Sequence, residues 1–254
     1  MRVFPPIVLC DGRCQESAAD LVVLISSAGL TAGAKAQSQM ILDPAAFITE
    51  HTRLQRPPHT PELWLYMAAD VTPIWQMTEE ALHQIGLPPP FWAFAWAGGQ
   101  ALARYILDHP GEVAGKSVID LATGSGLVAI AAMKAGATRV LAIDVDPFAR
   151  AAVALNAAAN GVEVTCHIGS VLDEPAPRID VILAGDICYE KPLAEKVMSW
   201  LGDAHRAGTR VLIGDPERVY FPKARLRQLA QYQVQTVSAL EDQAVKRSGV
   251  WTFP

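Results

Sequence analysis

Cysteine is scarce in this chain. Cys10, Cys14, Cys166 and Cys188 are scattered over 254 residues, too few for a disulfide framework. Cys10 and Cys14 have no second pair or histidine cluster with which to close a zinc site. The expectation is a reducing, cytoplasmic setting and no metal. Long apolar runs are also missing. None approaches the ~20 residues that a bilayer-spanning helix needs. Residues 21–30 are apolar but follow Asp11, Glu16 and Asp20, where a secretory leader carries basic residues. Basic charge is in deficit too: the net charge is −5, and no stretch offers the basic face that a general hold on nucleic acid requires. No membrane and no nucleic acid are therefore expected as partners, which leaves a protein or a small molecule.

What the chain has is apolar bulk, 51% of its residues, enough to bury a sizeable core. Residues 1–43 carry no sustained pattern and read as a poorly ordered extension. Residues 44–110 read as a helical segment ending in an aromatic motif that covers a cofactor. Helices are expected at 44–55, 73–84 and 100–107. From 111 to 254 strands alternate with helices: strands at 117–122, 139–145, 162–168, 180–184 and 210–214, helices at 127–135, 147–160, 192–204 and 223–231. Two last strands, 233–240 and 249–253, are joined by a short polar link, so they pair antiparallel. The fold class that follows is α/β, a doubly wound, Rossmann-like sheet of seven strands, mostly parallel with an antiparallel C-terminal hairpin strand.

The stretch Asp120-Leu121-Ala122-Thr123-Gly124-Ser125-Gly126 lies where the first of these strands gives way to a helix. Such a turn needs unusual backbone angles and close approach to a ligand, which glycine permits. In doubly wound sheets ligands bind outside the carboxyl ends of the strands. About twenty residues beyond Gly124, Asp144 ends the second strand, where a carboxylate accepts hydrogen bonds from both hydroxyls of a ribose. Gly124-x-Gly126-x-x-Ala129 also fits a dinucleotide fingerprint. Asp120 separates the two readings: a carboxylate repels a pyrophosphate but attracts a ligand with an amino group and a sulfonium. The bland alternatives are that Asp120 caps the turn and Asp144 caps the next helix.

The fourth strand runs into Gly185-Asp186-Ile187-Cys188-Tyr189 at the same crevice. A carboxylate and a phenol three residues apart suit a flexible amine better than a planar base. Asp186 would recruit and orient that amine, and Tyr189 would align its lone pair or wall the pocket. Trp92, Phe94 and Trp96 alternate, as on one face of an extended segment. They read either as core packing or, with Trp96 and a Gly98-Gly99 turn, as a lid. Asp215-Pro216 is placed at the crevice border.

With these residues in view, the chain resembles the seven-stranded class I methyltransferases, and among them the lysine methyltransferases of the electron transfer flavoprotein β subunit. The resemblance spans about residues 44–253. It rests on the Phe91–Gln100 aromatic and glycine run, on residues 115–121, on Asp144-Val145-Asp146-Pro147, on Gly185–Tyr189 and on residues 210–216. It implies S-adenosylmethionine as cofactor, held by Asp120, Gly124, Gly126 and Asp144 with Trp96 nearby. It also implies that Asp186 and Tyr189 form the Asp-x-x-Tyr motif of lysine-modifying enzymes, with the flavoprotein β subunit as substrate. Ala122 departs from the glycine that many members carry. The alternatives are another protein, such as a ribosomal one, or a small amine as acceptor, a nicotinamide-dependent oxidoreductase, or a non-catalytic binding module.

Overall fold

A computed structural model describes residues 43–68, 89–236 and 245–254. The expected helix at 73–84, most of the first segment with Cys10 and Cys14, and the link between the last two strands lie outside the described residues. The chain opens with α1 (Pro44–His51) and a small hairpin of β1 (Arg53–Gln55) and β2 (Leu65–Met67). α2 (Ala97–Asp108) follows. Then come β3 (Ser117–Leu121), α3 (Leu127–Lys134), β4 (Arg139–Asp144), α4 (Pro147–Ala159), β5 (Thr165–Ile168) and β6 (Val181–Gly185). α5 (Lys191–Arg206), β7 (Arg210–Asp215), β8 (Arg227–Gln235) and β9 (Val245–Thr252) complete it.

The seven strands β3 to β9 form one sheet in the order β5-β4-β3-β6-β7-β9-β8. β9 alone runs antiparallel, between β7 and β8. The chain winds outward from β3 through β4 to β5, then returns to lay β6 on the other side of β3. The β3/β6 boundary is therefore the switch point at which ligands bind in such sheets.

The central strands are continuous apolar runs because both faces are covered. Val118, Val181, Leu183 and Leu212 pack into one cluster with Leu102, Ile106 and Ile130. Their neighbours Ile119, Ile182, Val211 and Ile213 pack into the other with Val197, Trp200 and Leu201. This two-residue alternation is the sheet's pleat expressed as two cores. Truncating one of the fully buried leucines, such as Leu183, costs roughly 2–5 kcal/mol. α4 starts as its sequence indicates: Asp146 accepts the Phe148 N–H at 2.9 Å and Pro147 occupies the first turn.

Several expectations are corrected. The helix expected at 44–55 stops at His51, because Thr52 is extended (φ −125°, ψ 172°). Pro57 favours extended backbone at the residue before it, and Arg53–Gln55 pairs as β1 instead. The helix expected at 223–231 is a single 3-10 turn, Lys223–Arg225, followed by strand β8. β8 takes in the start of the strand placed at 233–240, of which residues 237–240 lie outside the described residues. Its Ala230, Tyr232 and Val234 are shielded while Gln231, Gln233 and Gln235 are exposed, and pairing with β9 satisfies its backbone, which outweighs the helical leaning of Leu, Arg, Gln and Ala. The aromatic run is extended only in its second half: Phe91–Ala93 forms a 3-10 turn, while Phe94 (φ −135°, ψ 145°) and Trp96 (φ −67°, ψ 153°) are extended. Gly98 and Gly99 are not a separate turn: they belong to the first turn of α2.

Candidate active site

The loop from Asp120 to Gly126 crosses from β3 into α3 with three left-handed residues, Ala122 (φ 55°), Gly124 (φ 53°) and Gly126 (φ 82°). Asp120, 1% exposed, holds this turn shut. Its Oδ2 accepts the Thr123 hydroxyl at 2.5 Å and the Ala129 N–H at 3.0 Å. Burial pushes its carboxyl up to about 7, against the pull of those two donors. Asp144 ties the loop to the tip of β4: Oδ2 accepts the Gly124 N–H at 2.8 Å and Oδ1 the Asp146 N–H at 3.0 Å. Asp120 thus does the turn-capping work of a purely structural reading, whereas the next helix is capped by Asp146 and not by Asp144. Asp120 and Asp144 both line one cavity of about 380 Å³, together with Trp96, Gly124, Asp186 and Tyr189. Gly126 stands one step behind: a Cβ there would meet a Val153 methyl at 3.1 Å, so its role is the close seating of the loop on α4.

The aromatic run divides. Trp92 is buried, stacked on Phe148 at 5.7 Å between ring centroids. Trp96 is half-buried, and its indole Nε1 donates to the Phe91 carbonyl at 2.9 Å. The Phe91 ring bridges Trp96 and Tyr189, at 5.7 and 5.5 Å. Together the three rings make an apolar stretch of the cavity lining. Tyr189 remains 44% exposed, and burial of the rest of its ring raises the phenol pKa.

Asp186 is the most constrained of the group. Its backbone is left-handed (φ 55°), and its N–H donates to the Gly214 carbonyl at 2.9 Å. Oδ2 accepts the Gly99 N–H at 2.7 Å, at the N-terminus of α2, where a negative charge is favoured. Oδ1 accepts from Arg218 Nε at 3.1 Å and Nη2 at 2.6 Å. α2 can come this close only because it meets the strand tips through glycine. A Cβ at Gly98 would lie 2.3 Å from the Gly214 oxygen and 2.7 Å from Asp186 Oδ2. Asp215 does not reach the cavity wall. It is fully buried and accepts the Arg218 N–H at 2.7 Å, which shapes the turn that carries Arg218.

Two residues escaped the reading of the sequence. Arg218 sits in a loop thirty-two residues from Asp186, and the nearby Asp215-Pro216 was the available hint. Asn156, buried on α4, donates to the Ser125 carbonyl at 2.8 Å and accepts the Tyr66 N–H at 2.7 Å, so it fastens the glycine loop and β2 to one helix. A polar residue among alanines on a helical face was its signal.

The cavity suits an adenosyl sulfonium ligand. Its volume lies within the range of small-molecule sites, its walls are aromatic and aliphatic, and its charged lining includes four carboxylates, at residues 120, 144, 146 and 186. Both Asp144 oxygens keep a second lone pair for ribose hydroxyls. Among the described residues no cluster of His, Cys, Asp and Glu could hold a metal ion, and no helix is long and apolar enough to cross a membrane.

Residues 100–201 match the family model described as ribosomal protein L11 methyltransferase (PrmA). Over 200 residues the chain is 40% identical to the electron transfer flavoprotein β-subunit lysine methyltransferase of Rattus norvegicus, covering 76% of this chain and 77% of that protein. The Homo sapiens protein of the same name is 37% identical over 221 residues, 84% of this chain and 83% of its own. The ribosomal protein L11 methyltransferase of Alteromonas mediterranea is 44% identical, but over 73 residues, 29% of this chain and 25% of its own.

Proposed function

The chain belongs to the electron transfer flavoprotein β-subunit lysine methyltransferase family, and from that premise we propose that it methylates a lysine of that flavoprotein subunit. It is a methyltransferase, and its methyl donor is S-adenosylmethionine. Family membership removes the nicotinamide oxidoreductase and the non-catalytic module as rivals. The ribosomal alternative draws on a family model matched over residues 100–201 and on a relative matched over 29% of the chain, against the flavoprotein-subunit relatives matched over 76% and 84%.

The observation that carries the site assignment is the meeting of strand-tip carboxylates and aromatic rings around one cavity. In this reading Asp144 takes the ribose, Gly124 lets the backbone approach, Gly126 lets the loop seat on α4 behind it, Asp120 faces the positive end of the ligand, and Trp96 closes over it. S-adenosylmethionine supplies a methyl carbon already activated by its sulfonium. The protein's work is then alignment and electrostatics. Asp186 and Tyr189 hold the acceptor amine, whose conversion to the neutral form at pH 7 costs about 4–5 kcal/mol from a reference pKa near 10.4. The exposed edge of Tyr189 leaves the acceptor's path open to a protein surface. The free thiols Cys166 and Cys188 suit the cytoplasm.

The test is incubation with methyl-labelled cofactor and the purified flavoprotein β subunit, followed by mass spectrometry, with a cell lysate in parallel. Label on a lysine of the β subunit is expected. Label on a different lysate protein, with the β subunit blank, would overturn the substrate. In single-turnover assays Asp186→Asn and Asp186→Ala are expected to lose at least about tenfold in rate; parental rates in both end the assignment of Asp186.

A further inference from the structure

Asp186 sets an electrostatic problem for an amine acceptor. A lysine ammonium must shed a proton before its nitrogen can attack, and a carboxylate beside it raises the amine's pKa and keeps that proton on. Recruitment and activation therefore pull in opposite directions.

The fold carries a counterweight. Arg218, in the turn after β7, reaches back to donate twice to Asp186 Oδ1, from Nε at 3.1 Å and Nη2 at 2.6 Å. The two side chains are 19% and 9% exposed. The arginine is not a surface residue that happens to fold inward. Its backbone is fixed by the buried Asp215, its guanidinium carbon lies 5.7 Å over the Trp96 ring, and it lines the same cavity as Asp186. The second oxygen of Asp186 is oriented by the Gly99 N–H at the positive end of α2. Guanidinium stays charged throughout the working pH range. The other ionisable groups around Asp186 are Asp215, then Cys188 and Tyr189 on its own loop, and Asp120, Asp144 and Asp146 in the same cavity lining. α2 meets it with Gly98 and Gly99.

We propose that Arg218 is a positioning residue that clamps Asp186 and offsets its charge, so that the acceptor amine is received neutral, with its lone pair available, rather than as an ammonium. This rests on the reading of Asp186 as the amine's partner. The amine's proton leaves to solvent beforehand. In the transfer itself the nitrogen lone pair forms the N–C bond while the S–C electron pair stays on sulfur.

The test is the pH dependence of single-turnover transfer to the β subunit, with calorimetry of S-adenosylmethionine binding alongside. The variants are Arg218→Gln, Arg218→Lys, Asp186→Asn and the double Asp186→Asn/Arg218→Gln. Arg218→Gln is expected to move the apparent pKa of the acid limb up by about one to two units. Its rate would fall about 10- to 100-fold at neutral pH and return at alkaline pH, with cofactor affinity changed less than about threefold. Arg218→Lys keeps the charge without the two-pronged grip, so it should keep the parental pKa at a lower plateau. In the Asp186→Asn background, Arg218→Gln should add no further shift. A rate lost by the same factor at every pH overturns the proposal, as does a cofactor affinity that falls in step with the rate. A parental rate in Asp186→Asn is a separate result: it sinks the underlying assignment of Asp186, and the proposal with it.

Discussion

Asp120 is pulled two ways. Burial and the nearby Asp144 charge favour its neutral form, while Thr123 and Ala129 donate to the ionised one, and the balance leaves it titrating at about 7. A cationic ligand in the adjoining cavity binds the ionised form better, so binding should draw a proton off the protein. The affinity for S-adenosylmethionine is then expected to rise with pH, by up to tenfold per unit, and to level off above about pH 7. Asp120→Asn should bind more weakly and without that slope. Calorimetry across this range, in two buffers of different ionisation enthalpy, reads both the slope and the released proton; a flat parental curve would refute the placement of Asp120 beside the ligand's charge. Two positions away, Ala122 holds φ 55° with its side chain exposed. A methyl-bearing residue in that region costs roughly 1–2 kcal/mol, and little packing offsets it here. Ala122→Gly, which regains most of this while losing some entropy, should raise Tm by about 2–4 °C; a lower Tm would mean that the methyl packs more than its exposure implies. The sequence pointed to Asp120, Asp144, Asp186 and Tyr189, which the structure brings to one cavity, because each lies in or just beyond the C-terminal end of a strand. It could not identify Arg218, since only the turn shaped by Asp215 brings a residue so distant in the chain onto Asp186.

Elements were legible where a single local signal set them. β6 and β7 carry uninterrupted apolar runs, β3 is broken only by Asp120, and α4 carries its own cap and proline. Legibility failed where pairing with a distant segment decided the outcome. β8 is helical by composition, and β9 makes it a strand; Arg53–Gln55 is drawn from helix to strand by β2. The aromatic run was legible in part: Trp92, Phe94 and Trp96 all line the cavity as their alternation suggested, but a 3-10 turn and not a strand carries Trp92, which stacks on Phe148. Asn156 shows what joins these elements. Fully buried, it satisfies the Tyr66 N–H in β2 and the Ser125 carbonyl in the glycine loop. Asn156→Ala orphans a donor and an acceptor, which should cost about 2–4 kcal/mol and weaken cofactor binding, because the loop loses its tether to α4. Urea denaturation and calorimetry on the one variant test both halves. Stability lost with cofactor affinity intact would mean that the loop is held well enough by Asp120 and Asp144.

At the scale of the whole molecule, the sheet gathers its difficult carboxyls at one end. Asp120 at β3, Asp146 just beyond β4 and Asp215 at the tip of β7 are all buried, and burial pushes each up to about 7. A carboxyl that keeps its proton to about 7 when folded, against an ordinary value of 3.8, favours the folded state below that ordinary value. It surrenders the advantage as pH rises through about 7. Between those limits the folded chain binds more protons than the unfolded one, and each group tilts stability downward by up to about 1.4 kcal/mol per pH unit. Glu62 and Glu112 have the opposite sign: their arginine partners lower them, so their stabilisation is complete above the usual carboxylate range and is lost only in more acid solution. His59, lowered by burial, gains with pH, one group against three. Without ligand the protein is therefore expected to lose stability steadily from about pH 5 to about pH 7.5, and its Tm should fall with it. S-adenosylmethionine supplies positive charge where Asp120 must ionise, so saturating cofactor should flatten that fall, and Asp120→Asn should flatten it without cofactor. Thermal scans at matched ionic strength decide the matter. A ligand-free Tm that holds level or climbs from pH 5 to about pH 7.5 would mean that these three carboxyls are already ionised at neutrality, and that the cavity keeps its negative field ready instead of acquiring it as the cation arrives.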